Sequence, residues 1–134
     1  MNRDEILRLP AGREMDKLIV PFMRWEQIDK AIHYNASMGI RWADQSDGVW
    51  KFEPGLAHLW SPSTEIHDAW EVVEHMSDRY TFALNDTHAQ WRAMFVLIPE
   101  LITLSFELPN PNCTAWEDAA PLAISRALLL ALFV

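Results

Sequence analysis

The run from Ala119 to Leu132 constrains the fold of this chain more than any other stretch. Asp118 stands where it can cap a helix, and Pro121 falls in the first turn that follows. Leu122, Ile124, Leu128, Leu129, Leu130, Leu132 and Phe133 then spread around more than one helical face. A helix this apolar has to be covered on several sides, within its own core or against a second copy of the chain. A homo-oligomer built through this helix is therefore one expectation. The longest apolar stretch, Ala127 to Val134, is far shorter than the roughly 20 residues that cross a bilayer.

The rest of the chain has to wrap such a helix, and 134 residues suffice for one compact core. A single domain over residues 1–134 is expected. Asn2 and Glu5 have the spacing of a capping box. Pro10 suits a first helical position, opening a helix from Ala11 to Val20 with Met15, Leu18 and Ile19 on one side; Pro21 disturbs or ends it. Gln27 to Tyr34 has room for one or two helical turns. Ile40–Ala43 and Val49–Phe52 read as short strands around the turn-rich Asp44 to Gly48, and Glu53-Pro54-Gly55 closes that hairpin. Otherwise residues 26–62 carry little periodic signal and read as an irregular elaboration. Pro62-Ser63-Thr64 then gives a capped start to an amphipathic helix, on which Ile66, Ala69, Trp70, Val73 and Met76 recur at helical spacing. His67, Asp68, Glu71, Glu74 and His75 take its other side. Three strand-like runs follow: Tyr80 to Leu84, with a turn at Asp86-Thr87-His88, then Gln90 to Ile98, then the cleanly alternating Leu101 to Leu108. The class is α+β, with an antiparallel sheet of about four to five short strands covered by helices.

Charge narrows the partners. Nineteen acidic against 11 basic residues leave a formal net charge of −8, and no stretch clusters Lys and Arg. A grip on a phosphate polymer or an anionic membrane normally needs a basic face, so neither nucleic-acid polymers nor membranes are expected partners. Cys113 is the single cysteine, which rules out an intrachain disulfide and suits a reducing compartment. Met1 to Glu5 is charged and lacks the apolar run of a secretory signal, so a cytoplasmic location is expected.

Catalysis finds little support. No Ser lies in a Gly-x-Ser-x-Gly elbow, Cys113 has no distinctive surroundings, and four glycines form no phosphate-binding loop. Acidic residues are plentiful, but whether two of them pair for hydrolysis is a three-dimensional fact. His67, Glu71 and His75, at i, i+4 and i+8, have the spacing of a zinc or manganese site, yet the same positions form the polar side of an amphipathic helix. The solvated face is the reading taken here; no metal, no cofactor and no enzymatic activity are expected.

Three blocks taken together carry a family resemblance. Met1-Asn2-Arg3-Asp4-Glu5-Ile6 leads to Ala11-Gly12-Arg13-Glu14-Met15-Asp16; Ser63-Thr64-Glu65-Ile66 leads to Ala69-Trp70-Glu71-Val72-Val73-Glu74; and Ala120 to Leu129 closes the set. The chain thereby resembles the phage ABA sandwich domain family, whose name implies a sheet held between helical layers. That resemblance implies a phage-encoded accessory protein in the host cytoplasm, of a kind that acts on host machinery or host defence. It brings no catalytic residues with it, because fold does not carry function.

The seven tryptophans are the most suggestive feature for binding. Trp25 follows Arg24, Trp42 follows Arg41, Trp50 precedes Lys51 and Trp91 precedes Arg92. An aromatic face stacks a nucleobase while a guanidinium pairs with a phosphate. Arg24, Trp25, Arg41, Trp42, Trp50, Lys51, Trp91 and Arg92 are therefore the candidate ligand-binding residues, and sequestration of a small nucleotide-like signalling molecule is the expected role. Against this, adjacent strand residues point to opposite faces, and large aromatics serve as core plugs or interface anchors. The other class of partner is a host protein, docked by an acidic face around Glu71 and Glu74.

Overall fold

The computed structural model describes residues 1–29, 39–87, 89–98, 114 and 116–133. It is an α+β fold of four helices and six strands, counted over those residues. The anticipated strand from Leu101 to Leu108, most of the helical turns from Gln27 to Tyr34, and Cys113, His33 and His88 lie outside them.

Helix α1 spans Arg3–Arg8 and begins with the expected capping box. The Asn2 side chain accepts from the Glu5 amide at 2.9 Å, and the Glu5 carboxylate accepts from the Asn2 amide at 3.1 Å. Asn2→Ala should cost about 1 kcal/mol, read as a lower midpoint in urea denaturation; an unchanged midpoint would mean that α1 draws nothing from its cap.

Helix α2, Arg13–Ile19, starts later than Pro10 suggests, so Pro10 lies in the link between helices. Its N-cap is Gly12, at a φ of +140° that favours glycine, and the Gly12 amide donates to Ser63 Oγ at 2.9 Å. Pro21 has no amide to continue the helix. The chain accordingly tightens into a 3₁₀ turn, Val20–Met23, and stops at Arg24 in the left-handed region.

Residues 41–59, read from sequence as a hairpin within an irregular region, form a regular meander. β2 (Arg41–Gln45), β3 (Gly48–Glu53) and β4 (Leu56–Leu59) run antiparallel, joined by turns at Ser46-Asp47 and Pro54-Gly55. The short β1 (Glu26–Gln27) adds to β2 in parallel. Gly48 is obligatory: a Cβ there would lie 2.8 Å from Leu59 Cδ2, and its φ is +146°.

Helix α3 is Ile66–Met76. Its N-cap is Glu65, without a side-chain cap, so Ser63 and Thr64 belong to the preceding turn and not to the expected cap. The second sheet is the hairpin of β5 (Tyr80–Thr87) and β6 (Gln90–Leu97). Its reversal falls beyond Asp86 and Thr87, which still belong to the strand; Ala89 there has a φ of +67°. The other edge of β6 is also occupied. Trp91 and Glu117 exchange backbone hydrogen bonds of 2.8 and 2.7 Å, and Thr114 donates its amide to the Ala93 carbonyl at 3.0 Å. The described strands thus form a mixed four-stranded sheet and an antiparallel two-stranded one, which with the helices is the α+β class expected from the sequence.

Helix α4, Ala120–Phe133, is the centre of the core. It packs on β6 and on α1, α2 and α3. Ile6, Met15, Ile19, Val72, Met76, Ala93 and Phe95 close around Ile124, Ala127, Leu128 and Leu129. Burying one such large side chain contributes roughly 1.5–3 kcal/mol. The leucine run is buried against the chain's own elements, Leu128, Leu129 and Leu130 being sealed from solvent. Among the described residues, no helix is long and apolar enough to cross a membrane.

Candidate functional site

Pairing register sorts the first sheet into two faces. Trp42, Asp44, Val49, Lys51 and His58 share one face; Arg41, Ala43, Trp50, Phe52 and Leu59 share the other. The first face meets α2 and α3, where Asp44 and Lys51 find partners. Asp44 accepts from Arg13 at 3.0 and 3.1 Å and pairs with Lys17 at 3.2 Å. Burial opposes ionisation of Asp44, but the hydrogen bonds from Arg13 and Lys17 outweigh it and hold the carboxyl below its ordinary value. His58 lies 3.7 Å from Asp68.

Lys51 is the centre of this face, only 5% exposed. Its Nζ is 2.5 Å from Glu71 Oε2, 3.5 Å from Glu53 and 4.9 Å from the Trp25 ring. The other Glu71 oxygen accepts from Trp60 Nε1 at 2.9 Å, and Trp60 meets Trp25 edge-on at 5.0 Å. Trp25 and Lys51 are therefore brought together as the binding idea requires, yet inside a closed ion-pair cluster. An anion arriving at Lys51 would have to displace Glu71, leaving a second carboxylate unpaired.

The eight candidate residues do not form one pocket. Trp42 is buried in the core. Trp50 is half-buried on the opposite face, where its Nε1 donates to Asp47 at 2.9 Å. Arg41, on that same face, pairs with Glu26 at 2.7 Å. Arg24 is exposed at the end of the 3₁₀ turn. Trp91 and Arg92 stand on β6, in the other sheet, and point to its two sides: Trp91 packs on the core.

Arg92 meets a residue that local reading passed over. Its guanidinium lies 4.4 Å from the ring centroid of Trp116, which is 37% exposed. Trp116 has no basic neighbour in sequence; the pairing of Thr114 and Glu117 with β6 brings it to Arg92. Asn85 stands opposite Arg92 and Thr87 opposite Gln90, so all four share one side of the hairpin. That side is buried at Met94 and Val96 but opens toward the turn, where Thr87 and Gln90 are exposed.

The histidine and carboxylate spacing on α3 resolves differently. Glu71 is half-buried and engaged by Lys51 and Trp60, His75 Nε2 lies 3.1 Å from the Phe22 carbonyl, and His67 is exposed. Among the described residues, no three His, Cys, Asp or Glu side chains converge as a metal site would require. Two acids are more buried than the amphipathic pattern suggests. Asp68 accepts from the Ser61 amide at 2.9 Å, and Asp16 of α2 accepts from the Ser63 amide at 3.0 Å. Together they hold the turn before α3. Burial, with a smaller contribution from the Asp68 charge, pushes the Asp16 carboxyl up to about 6.

These features define a small two-sheet α+β domain with helical cover, whose polar interior is closed by its own ion pairs. The chain belongs to the phage ABA sandwich domain family, the family model matching residues 22–129. The match takes in the meander of residues 41–59 and the last two resemblance blocks, while the first block, in residues 1–16, precedes it. No curated protein and no solved structure matches the chain.

Proposed function

We propose that this phage protein is a non-catalytic binding protein that sequesters a small nucleotide-like ligand, as a means of countering a host signal. The observation that carries the reading is the Arg92–Trp116 stack at the open end of the β5–β6 face. A guanidinium stacked on the Trp116 ring adds positive charge beside that ring, which is 37% exposed. An exposed indole stacks a base whatever its identity. The amides of Asn85 and Gln90 and the Thr87 hydroxyl, on the same side, offer donors and acceptors for base edges. A stacking site for one small ligand needs none of the extended basic surface that a polymer requires, which accords with a net charge of −8.

The test is calorimetric titration of the purified chain with a panel of mono-, di- and cyclic nucleotides. Binding at micromolar concentration is expected, weakened about 10- to 100-fold by Trp116→Ala with the melting temperature little changed. Absence of binding across the panel, or equal affinity in Trp116→Ala, would overturn the reading.

A further inference from the structure

The outer ridge of α3 has properties that the ligand face does not explain. Ile66 and Trp70, one helical turn apart, are 51% and 46% exposed. Glu74 continues the same row, and Glu65 at the helix start and Asp78 just beyond its end are exposed as well. The inner side of the helix already holds Asp68, Ala69, Val72, Val73 and Met76, so Ile66 and Trp70 are surplus to the core. Trp70 is also supported from beneath: its ring meets Phe82 of β5 edge-on at 5.9 Å.

A half-exposed tryptophan beside an exposed isoleucine suits an interface anchor, since truncating tryptophan causes some of the largest losses at protein–protein contacts. The rim indicates the partner. Glu65, Glu74 and Asp78 are exposed around the ridge, and Arg79, next to Asp78 in the chain, pairs with it at 3.6 Å. A second copy of a chain with a net charge of −8 would bring like charge against this rim. We propose that the Ile66–Trp70 ridge docks into an apolar groove, bordered by Lys and Arg, on a different protein. Glu71, half-buried and committed to Lys51, takes no part in this surface, so the acidic face once expected around Glu71 and Glu74 is replaced by Glu65, Glu74 and Asp78 around an apolar centre.

The experiment places a photo-crosslinking amino acid at His67, beside the ridge, in the full chain expressed during infection. It compares three backgrounds: unaltered, Trp70→Ala, and the charge reversal Glu65→Lys with Glu74→Lys. One host protein should be crosslinked in the unaltered background and lost in both variants. With that protein purified, Trp70→Ala should weaken binding at least about 30-fold, and raising the salt concentration should slow association of the unaltered chain. Trp116→Ala should leave this binding intact, which separates the ridge from the ligand face. The charge-reversal pair alters exposed side chains, and Glu65 makes no side-chain cap, so lysine there opposes only the helix dipole, a small effect at an exposed site. That keeps the test open even if Trp70→Ala loses stability through Phe82. Crosslinks to a second copy of the chain, no crosslink at all, or a crosslink indifferent to both variants would each overturn the proposal.

Discussion

Glu71→Ala should destabilise the protein by about 3 kcal/mol, because it strands two groups at once. Lys51, nearly sealed from solvent, would keep Glu53 at 3.5 Å and the Trp25 ring at 4.9 Å, and Trp60 Nε1 would lose its acceptor. Breaking one side of a buried pair costs about 3–5 kcal/mol, and the lower end applies here since the Glu71 side chain is 30% exposed. Against the 5–15 kcal/mol of an ordinary domain, such a loss is large. The companion experiment replaces both partners, Lys51→Met with Glu71→Gln. The amide oxygen can still accept from Trp60, no charge remains buried, and most of the stability should return. Urea denaturation of the single and double variants gives the coupling directly. A Glu71→Ala protein within 1 kcal/mol of the parent would show that water already screens the pair.

Asp16→Asn should have the opposite sign and stabilise the protein at neutral pH. The folded carboxyl sits at about 6, against 3.8 for the free group, so the native state holds its proton more tightly than the unfolded chain does. Its contribution is therefore fully present below about pH 4 and lost as the pH rises through 6. A displacement of roughly two pH units corresponds to about 3 kcal/mol at pH 7. Asparagine keeps an oxygen for the Ser63 amide, bonded at 3.0 Å, and carries no charge to desolvate. The stability difference between variant and parent should be near zero at pH 3.5 and grow between pH 4 and 7. A difference independent of pH would show that Asp16 is solvated when ionised. The same measurement would bear on the turn before α3, which Asp16 and Asp68 hold from two helices.

Much of the secondary structure could be read directly because its causes lie within a few residues. The Asn2–Glu5 capping box, the Pro21 break, the β2–β3 hairpin, the β5–β6 strands and helices α3 and α4 all have local signals of spacing or backbone preference. The family resemblance was legible for the same reason, residing in short blocks. β1 and β4 were not: two and four residues carry no usable period, and they exist by pairing with β2 and β3. The candidate site fared likewise. That Arg41 and Trp42 part company follows from strand geometry, but the sequence neighbours of Trp116 say nothing of Arg92.

Sequence alone determined that this chain has one heavily buried terminal helix, an α+β composition, an acidic balance and an excess of tryptophan. Tertiary structure decided what covers that helix, which tryptophans are core and which are surface, and which charges are neutralised. The division has a physical cause. Periodicity and capping act over one or two turns of chain, whereas Lys51 reaches Glu71 across 20 positions and Asp16 reaches Ser63 across 47. Contacts at that separation depend on how the sheets and helices stack, and no local pattern encodes them.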